Sequence, residues 1–269
     1  MKIEIILLLL SPIFLTCIAI EYCTHRQNYS LKDSISSTVL ALLHQGADLL
    51  ALTVLMPVFL YLHQWRLFDV ELSPLTVLIA FIFQDFLYYW FHRASHSIHW
   101  MWAAHVVHHS SPKMNLTTAF RQSFMYPIAG MWLFWTPMVL IGFPVELTFL
   151  VVALNLAFQF FVHTQAIKRL GWLEHIFNTP SHHRVHHSVV EQHIDKNFAG
   201  VLILWDKLFG TFEKESETIP CQYGAVDHPY LLNPVKATFW QWKFMLLKCT
   251  NKKGISAKLK VLFGDPNDK

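Results

Sequence analysis

Apolar residues fill the first 163 positions of this chain in long runs, and polar residues interrupt them at few places. A helix needs about 20 apolar residues to cross the hydrocarbon core of a bilayer. Runs of that order cover 3–21, 38–63, 74–91, 124–142 and 144–163. The second holds His44, Gln45 and Asp48, and the third ends in Gln84-Asp85-Phe86-Leu87-Tyr88-Tyr89-Trp90. Polar groups inside a span are costly, so these side chains should face protein and not lipid. Gly142 and Pro144 punctuate the last two runs, which read as a tight hairpin or a pair of re-entrant helices. The first run follows Lys2 and has the look of a signal segment. No small-x-small cleavage site follows in Ile18-Ala19-Ile20-Glu21-Tyr22, so it reads as a retained anchor.

The pattern therefore predicts an all-α, polytopic helical membrane protein with about four to five membrane helices. Composition agrees: 54% of residues are hydrophobic and 14% charged, against roughly 25% charged in soluble domains. Mean hydropathy is +0.34, too apolar for a water-soluble globule. The net charge of +3 comes without a dense basic patch, which argues against a nucleic-acid partner. Cys17, Cys23, Cys221 and Cys249 form neither C-x-x-C nor a disulfide framework, and fit a reduced compartment. With five crossings, all but Lys2 and Arg66 of the 21 Lys and Arg residues fall on one side, which the positive-inside rule makes cytoplasmic.

On that same side lie all three histidine clusters. Of 17 histidines, thirteen fall within 92–109 and 163–193, a clustering that compositional bias does not produce. His92-x3-His96, His105-x2-His108-His109 and His183-x2-His186-His187 have metal-ligand spacing, since helical residues three or four apart share a face. They exceed one ion's needs and suit two ions with about four imidazoles each. Imidazole leaves the metal open among zinc, copper, iron and nickel. A cysteine-free, all-nitrogen pair of sites beside a membrane favours iron and oxygen chemistry over structural zinc. His96 and His105 are nine residues apart, half a turn out of phase, so either the helix breaks near Ser97–Ala103 or the two clusters sit on separate helices.

Further candidates surround these clusters. His163 ends the fifth run one turn after Gln159 and reads as another ligand. His99 is a weaker one beside Trp100 and Trp102, and His182 reads as either a ligand or a donor behind one. Metal-bound histidines pass their second ring N–H to an acceptor. Asp85, near whole turns before His92 and His96, is the first choice for that role, with Asp195 and Asn197 behind it. His175, His193 and His228 have weaker claims, while His25, His44 and His63 read as structural. The chain divides into N-terminal membrane helices (1–73), a histidine-box domain (74–215) and a cytoplasmic or interfacial tail (216–269). In the tail, aromatic residues of 235–248 alternate with lysines, as in an interfacial or core-packing helix.

The text around the histidines resembles a known family. Tyr88-Tyr89-Trp90-Phe91-His92-Arg93, His105-Val-Val-His108-His109-Ser110-Ser111 and Asn115-Leu-Thr-Thr-Ala-Phe-Arg121-Gln-Ser123 carry the likeness. So do Gln159-Phe-Phe-Val-His163-Thr164, Asn178-Thr-Pro-Ser-His-His-Arg-Val-His-His187, Asp195-Lys-Asn-Phe-Ala-Gly200 and Ile203-Leu-Trp-Asp-Lys-Leu-Phe-Gly-Thr-Phe212. The arrangement is similar to the membrane fatty acid hydroxylase and sterol desaturase superfamily, and within it to the alkylglycerol monooxygenases and their bacterial relatives. The resemblance covers roughly 75–245.

It implies a di-iron centre held by His92, His96, His105, His108, His109, His163, His183, His186 and His187, with a histidine-rich helical cap facing the cytoplasm. It implies O2 as co-substrate and an external electron donor, with tetrahydrobiopterin as the candidate, since no flavin, haem or nicotinamide motif occurs. The membrane is a bacterial inner membrane or the endoplasmic reticulum. A lipid substrate would enter laterally, its head group near Asn115 and Arg121. Gln159 stands where some relatives place a further histidine, and Ser97 where a glutamate follows the first motif. Hydroxylation or desaturation of a sterol, fatty acyl chain or carotenoid uses the same kind of site. A metal transporter or storage protein is the non-enzymatic alternative, but transporters place ligands near mid-bilayer on broken helices.

Overall fold

Ser73 and Pro74 start the helix that carries the first histidine pair. The Ser73 hydroxyl accepts the Thr76 N–H at 3.1 Å, and proline occupies a first-turn position whose N–H would be unpaired. The computed structural model describes residues 4–267, with side chains from Leu9 onward; Lys2 and Ile3 of the first apolar run lie outside the described residues. In chain order the helices are α1 (Glu4–Thr24), α2 (Leu31–His63), α3 (Pro74–Ser97), α4 (His99–His109), α5 (Tyr126–Ala129), α6 (Thr136–Ile141), α7 (Val145–Phe160), α8 (Pro180–His186), α9 (Leu204–Phe209), α10 (Pro234–Thr250) and α11 (Ile255–Phe263). Among the described residues the remaining regular structure is 3-10 turns and two isolated bridges, Phe177–Leu202 and Ser188–Tyr223. The fold is all-α.

Among the described residues, two helices, α2 and α3, are long and apolar enough to cross a membrane. At 33 residues α2 is about 50 Å long, and it leaves Leu42 68%, Leu50 73% and Val54 66% exposed. A continuous apolar face of that kind is what hydrocarbon solvates and water does not. α7, with 16 residues, rises about 24 Å, short of a bilayer core.

The expected fourth span over 124–142 is not one helix. It breaks into α5, a 3-10 turn over Met131–Trp135, and α6. Pro127 and Pro137 each begin a new helical segment, and Gly130 between them adopts φ 91°. Gly142, at φ 126°, then turns the chain with its backbone against the Phe68 carbonyl, where a Cβ would collide. Leu67 and Phe68 N–H donate to the Leu140 and Ile141 carbonyls at 2.8 and 3.1 Å. The segment and α7 thus form a broken pair that meets the α2–α3 loop at one end and the histidines at the other.

At the histidine end, α3 stops at Ser97 and extended Ile98 turns the chain directly into α4. This break puts His96 and His105 in phase. α10 packs along α4, burying Ala237, Gln241, Trp242 and Met245, with Trp242 edge-on to Trp100 at 4.7 Å. Its opposite face leaves Phe239 and Phe244 exposed. α10 thereby completes the core around α4, the core-packing alternative for 235–248. Two buried carboxylates tie the N-terminal helices to this layer. Glu21 accepts from Tyr29 Oη, Leu116 N–H and Thr164 Oγ1. Asp33 accepts from Ser111, Tyr230 and Arg121.

Candidate metal centre

The helix break, the α4 face, the turn after α7 and α8 bring nine buried imidazoles into one layer. They fall into two groups: His92, His96, His105, His109 and His186, then His108, His163, His183 and His187, with candidate ligand atoms inside each group within 4.8 Å of one another. The i, i+4 pairs stay together, 92 with 96, 105 with 109, and 183 with 187. His108 and His186, one residue before the second member of a pair, point about 100° away around their helices and join the other group. Each H-x2-H-H run thereby serves both groups.

The second ring nitrogens are held by fixed acceptors. His92 Nδ1 donates to the Phe198 carbonyl at 2.8 Å and His186 Nδ1 to the Lys196 carbonyl at 2.9 Å. His96 Nδ1 lies 3.2 Å from Asp195 Oδ1. One short segment thus orients three rings of the first group, bent to the task by Asp195 and Asn197, both at φ 57°. His105 Nδ1 is 2.6 Å from the Tyr126 hydroxyl. In the second group His163 Nδ1 donates to the Gln159 carbonyl at 2.6 Å and His108 Nδ1 to the Arg121 carbonyl at 3.2 Å.

These bonds decide what the other nitrogens can do. A neutral ring that donates from Nδ1 has a bare lone pair at Nε2. His163 Nε2 nevertheless lies 3.0 Å from His108 Nε2 and 2.8 Å from His183 Nε2. His105 Nε2 lies 3.1 Å from both His92 and His109 Nε2. His96 Nε2, His186 Nε2 and His183 Nδ1 are buried without a partner. Lone pairs aimed at one another repel unless a cation takes them. At a metal–imidazole distance of about 2.1 Å, ligands at right angles lie about 3 Å apart, which matches these contacts. Protonation is the weaker answer. Burial, reinforced by neighbouring histidines, holds His105, His108, His109, His183, His186 and His187 well below the usual imidazole range. Burial also pushes His163 down to about 4. Neutral imidazole is the form that ligates, so the residues fit two metal ions.

Several expected partners do other work. Asp85 touches no histidine. It accepts Val201 and Leu202 N–H, Trp205 Nε1–H and the Asn155 amide at 2.8–2.9 Å, and so anchors the loop that presents Phe198. A carboxylate buried among four donors has no lone pair left over for a ring. Asn197 bonds the His182 carbonyl and both backbone groups of Glu213, fixing the same loop. His182 stands edge-on to Phe212 outside both groups, and His99 bonds Val261 and Gln241 behind α4. Gln159 contributes its carbonyl to His163, while its amide bridges Tyr88 Oη and Asn155. Asn115 and Arg121 are not a head-group site. Asn115 caps the turn Leu116–Phe120, and the buried Arg121 guanidinium is consumed by Val107, Ser110, Ser36, Leu231 and Asp33. The backbone acceptors at 121, 159, 196 and 198 have no signature in the side-chain text.

Two cavities reach the layer and touch different imidazoles. An apolar one of about 330 Å³ meets His92, His105, His108, His163 and His183 between α1, α2, α3 and α7. A smaller one of about 120 Å³ meets His96, His109, His186 and His187 beside Trp102 and Asp195. The histidine layer is the wall between them.

The chain is similar to alkylglycerol monooxygenase of Homo sapiens, 40% identical over 238 residues that cover 88% of this chain and 53% of that protein. It is 36% identical to the Danio rerio alkylglycerol monooxygenase over 95% of this chain and 58% of the relative. A more distant relative is the ornithine lipid hydroxylase OlsE of Rhizobium tropici, 30% identical over 51% of this chain and 41% of that protein. The chain spans about half the length of the curated relatives it matches. No solved structure matches it significantly. The family model described as fatty acid hydroxylase matches residues 77–211, half of the chain and all nine clustered histidines: this chain belongs to the fatty acid hydroxylase family.

Proposed function

We propose that the protein is an O2-dependent, di-iron membrane monooxygenase that hydroxylates a C–H bond of a lipid, with the ether-linked carbon of an alkylglycerol as its leading target. The nine buried imidazoles opening onto an apolar cavity carry this reading, and the alkylglycerol monooxygenases among the relatives suggest the substrate. The nine histidines serve as ligands, within a catalytic unit over 74–215. Iron bound there would supply O2 activation and removal of hydrogen from an unactivated carbon.

The chain's own residues do the rest. Carbonyls at 159, 196 and 198 keep Nε2 of His163, His186 and His92 aimed inward. Fixed acceptors of this kind suit a resident cofactor more than a transported ion. Phe14, Phe91, Trp135 and Leu156 line the cavity and exclude water from the reacting carbon. One O2 and two electrons with two protons insert one oxygen atom and release water. With an alkylglycerol, the hydroxylated ether carbon is a hemiacetal, which collapses to glycerol and a fatty aldehyde. An external reductant, tetrahydrobiopterin being the candidate, meets the centre through the smaller cavity beside Trp102. The bias of Lys and Arg supports a cytoplasmic position for that side.

Elemental analysis of detergent-purified protein from iron-replete cells tests the centre, and aldehyde formation from a 1-O-alkylglycerol tests the activity. About two irons per chain with O2-dependent aldehyde are the expected results. Stoichiometric zinc in place of iron, or oxidation of a sterol or fatty acid in place of the ether, would overturn the reading.

A further inference from the structure

The second apolar run carries a polar stripe that the histidine chemistry leaves unexplained. Ala41, His44, Gln45 and Asp48 recur at i, i+3, i+4 and i+7 on α2, one face of the helix, and all four line the larger cavity. The neighbouring positions Leu42, Leu43, Leu49 and Leu50 are exposed on the outside of the same helix. Ionisable groups in a membrane-spanning helix are expensive to hold and turn toward protein or a cavity. Here they turn toward the cavity that five of the imidazoles also line.

The stripe is poised to bind. His44 Nε2 lies 3.3 Å from Asp48 Oδ2, and the Asp48 side chain stays 31% accessible. The other ring nitrogen, His44 Nδ1, is buried and has no hydrogen-bond partner. His44 also stands edge-on to Tyr126 with ring centroids 5.7 Å apart, and the Tyr126 hydroxyl is 2.6 Å from His105 Nδ1. One aromatic side chain therefore separates the stripe from the imidazole layer.

We propose that His44, Gln45 and Asp48 form the head-group subsite, taking the free hydroxyls of a neutral polyol lipid whose reacting carbon lies only a few bonds from those hydroxyls. The proposal rests on the monooxygenase reading and narrows it. A carboxylate accepts two O–H donors at once, as a vicinal diol offers, and a unpartnered imidazole nitrogen adds a third contact. Asp48 repels a phosphate or carboxylate head group, so phospholipids and free fatty acids fit poorly. The short path through Tyr126 excludes attack far down a chain whose head is anchored on the stripe. The remaining alkyl chain lies along Phe14, Val152 and Leu156.

The test measures binding to the metal-loaded, detergent-purified full chain without O2, by equilibrium partition of radiolabelled 1-O-hexadecylglycerol, and repeats it with Asp48→Leu, Asp48→Asn and Gln45→Leu. Hexadecyl methyl ether, which lacks hydroxyls, and a 1-O-alkyl lysophospholipid serve as the comparison ligands. The expected result is at least tenfold weaker alkylglycerol binding in Asp48→Leu, a smaller loss in the other two, and metal loading equal to wild type in all three. Wild type should bind both comparison ligands at least tenfold more weakly than the alkylglycerol. Unchanged alkylglycerol binding in Asp48→Leu and Gln45→Leu overturns the subsite, as does wild-type protein that prefers either comparison ligand. Should Asp48→Leu fail to fold, the other two variants decide alone. Diol-selective binding without turnover in the iron-loaded enzyme would keep the subsite and sink the monooxygenase reading, so the two failures are distinguishable.

Discussion

His109 and His187, the last residues of the two H-x2-H-H runs, stack their imidazoles with centroids 4.4 Å apart and planes inclined by 24°. They belong to different groups, and their contact is the seam between the two groups. The crossing of the runs gives a result that sequence adjacency would not suggest. His183→Ala with His187→Ala removes two of four nitrogens from one group and none from the other. His92→Ala with His96→Ala removes two of five nitrogens from the first group and none from the second. Metal analysis should find about one ion per chain retained in each double variant and close to none when the two are combined. Loss of both ions from either double variant would show that the groups do not bind independently.

Among the described residues, Tyr126 is the one side-chain hydroxyl that supports a clustered imidazole through Nδ1 at short range, 2.6 Å from His105. Tyr126→Phe removes that acceptor and leaves a buried N–H unpaired. Loss of such an outer partner typically costs about 10–100-fold in metal affinity. Competition with a chelator should show the first group releasing its ion at about tenfold lower chelator concentration, with the second group unchanged. Equal release from both groups would contradict the separation of roles.

Away from the centre, His228 packs edge-on against Trp240 at 4.9 Å. Burial, with Arg121 adding to it, pushes its imidazole down to about 4. The unfolded chain takes up a proton at this histidine near its ordinary value of about 6.5, while the folded chain does not until about 4. Between those limits the unfolded state binds more protons, so its contribution to stability is intact above about 6.5 and declines as pH falls toward 4. His228→Phe keeps the aromatic contact and removes the titration. Melting temperatures from pH 7 to 4.5 should fall less steeply in the variant than in wild type. Parallel curves would show that His228 titrates alike in both states.

The histidine spacing made the layer legible before any coordinates, because i, i+4 pairs on a helix have little choice but to converge. The break after His96 followed from the same arithmetic, and Ile98 supplies it. The length of apolar runs found the long helices α2 and α3 and misread 124–142, where Pro127, Gly130 and Pro137 outweigh an apolar run. The supports of the rings were mostly invisible, because they are carbonyls, and any residue carries one. Asp85 and Arg121 show the complementary error. Each is a charged residue at a suggestive position, yet burial obliges it to satisfy local backbone, leaving nothing for a metal-bound ring or a substrate.

Gly200 joins the loop that supports the first group to the α3–α7 core. A Cβ there would sit 2.6 Å from Asn155 Oδ1 and 2.9 Å from both Asp85 Oδ1 and Tyr88 Cδ1. These are not free side-chain ends. Asp85 is held by Val201, Leu202 and Trp205, and Asn155 bonds both Asp85 and Gln159. Gly200→Ala must therefore push the loop away from α3, and with it the Phe198 carbonyl that orients His92. Overpacking of this kind costs about 1–3 kcal/mol. Gly210→Ala is the control: its φ of 74° is strained for alanine, but a Cβ meets nothing within 4 Å, and left-handed strain costs about 1–2 kcal/mol. The two variants should lose comparable stability in chemical denaturation, while Gly200→Ala alone lowers occupancy of the first group. Equal metal content in both would mean that the loop can shift without turning His92.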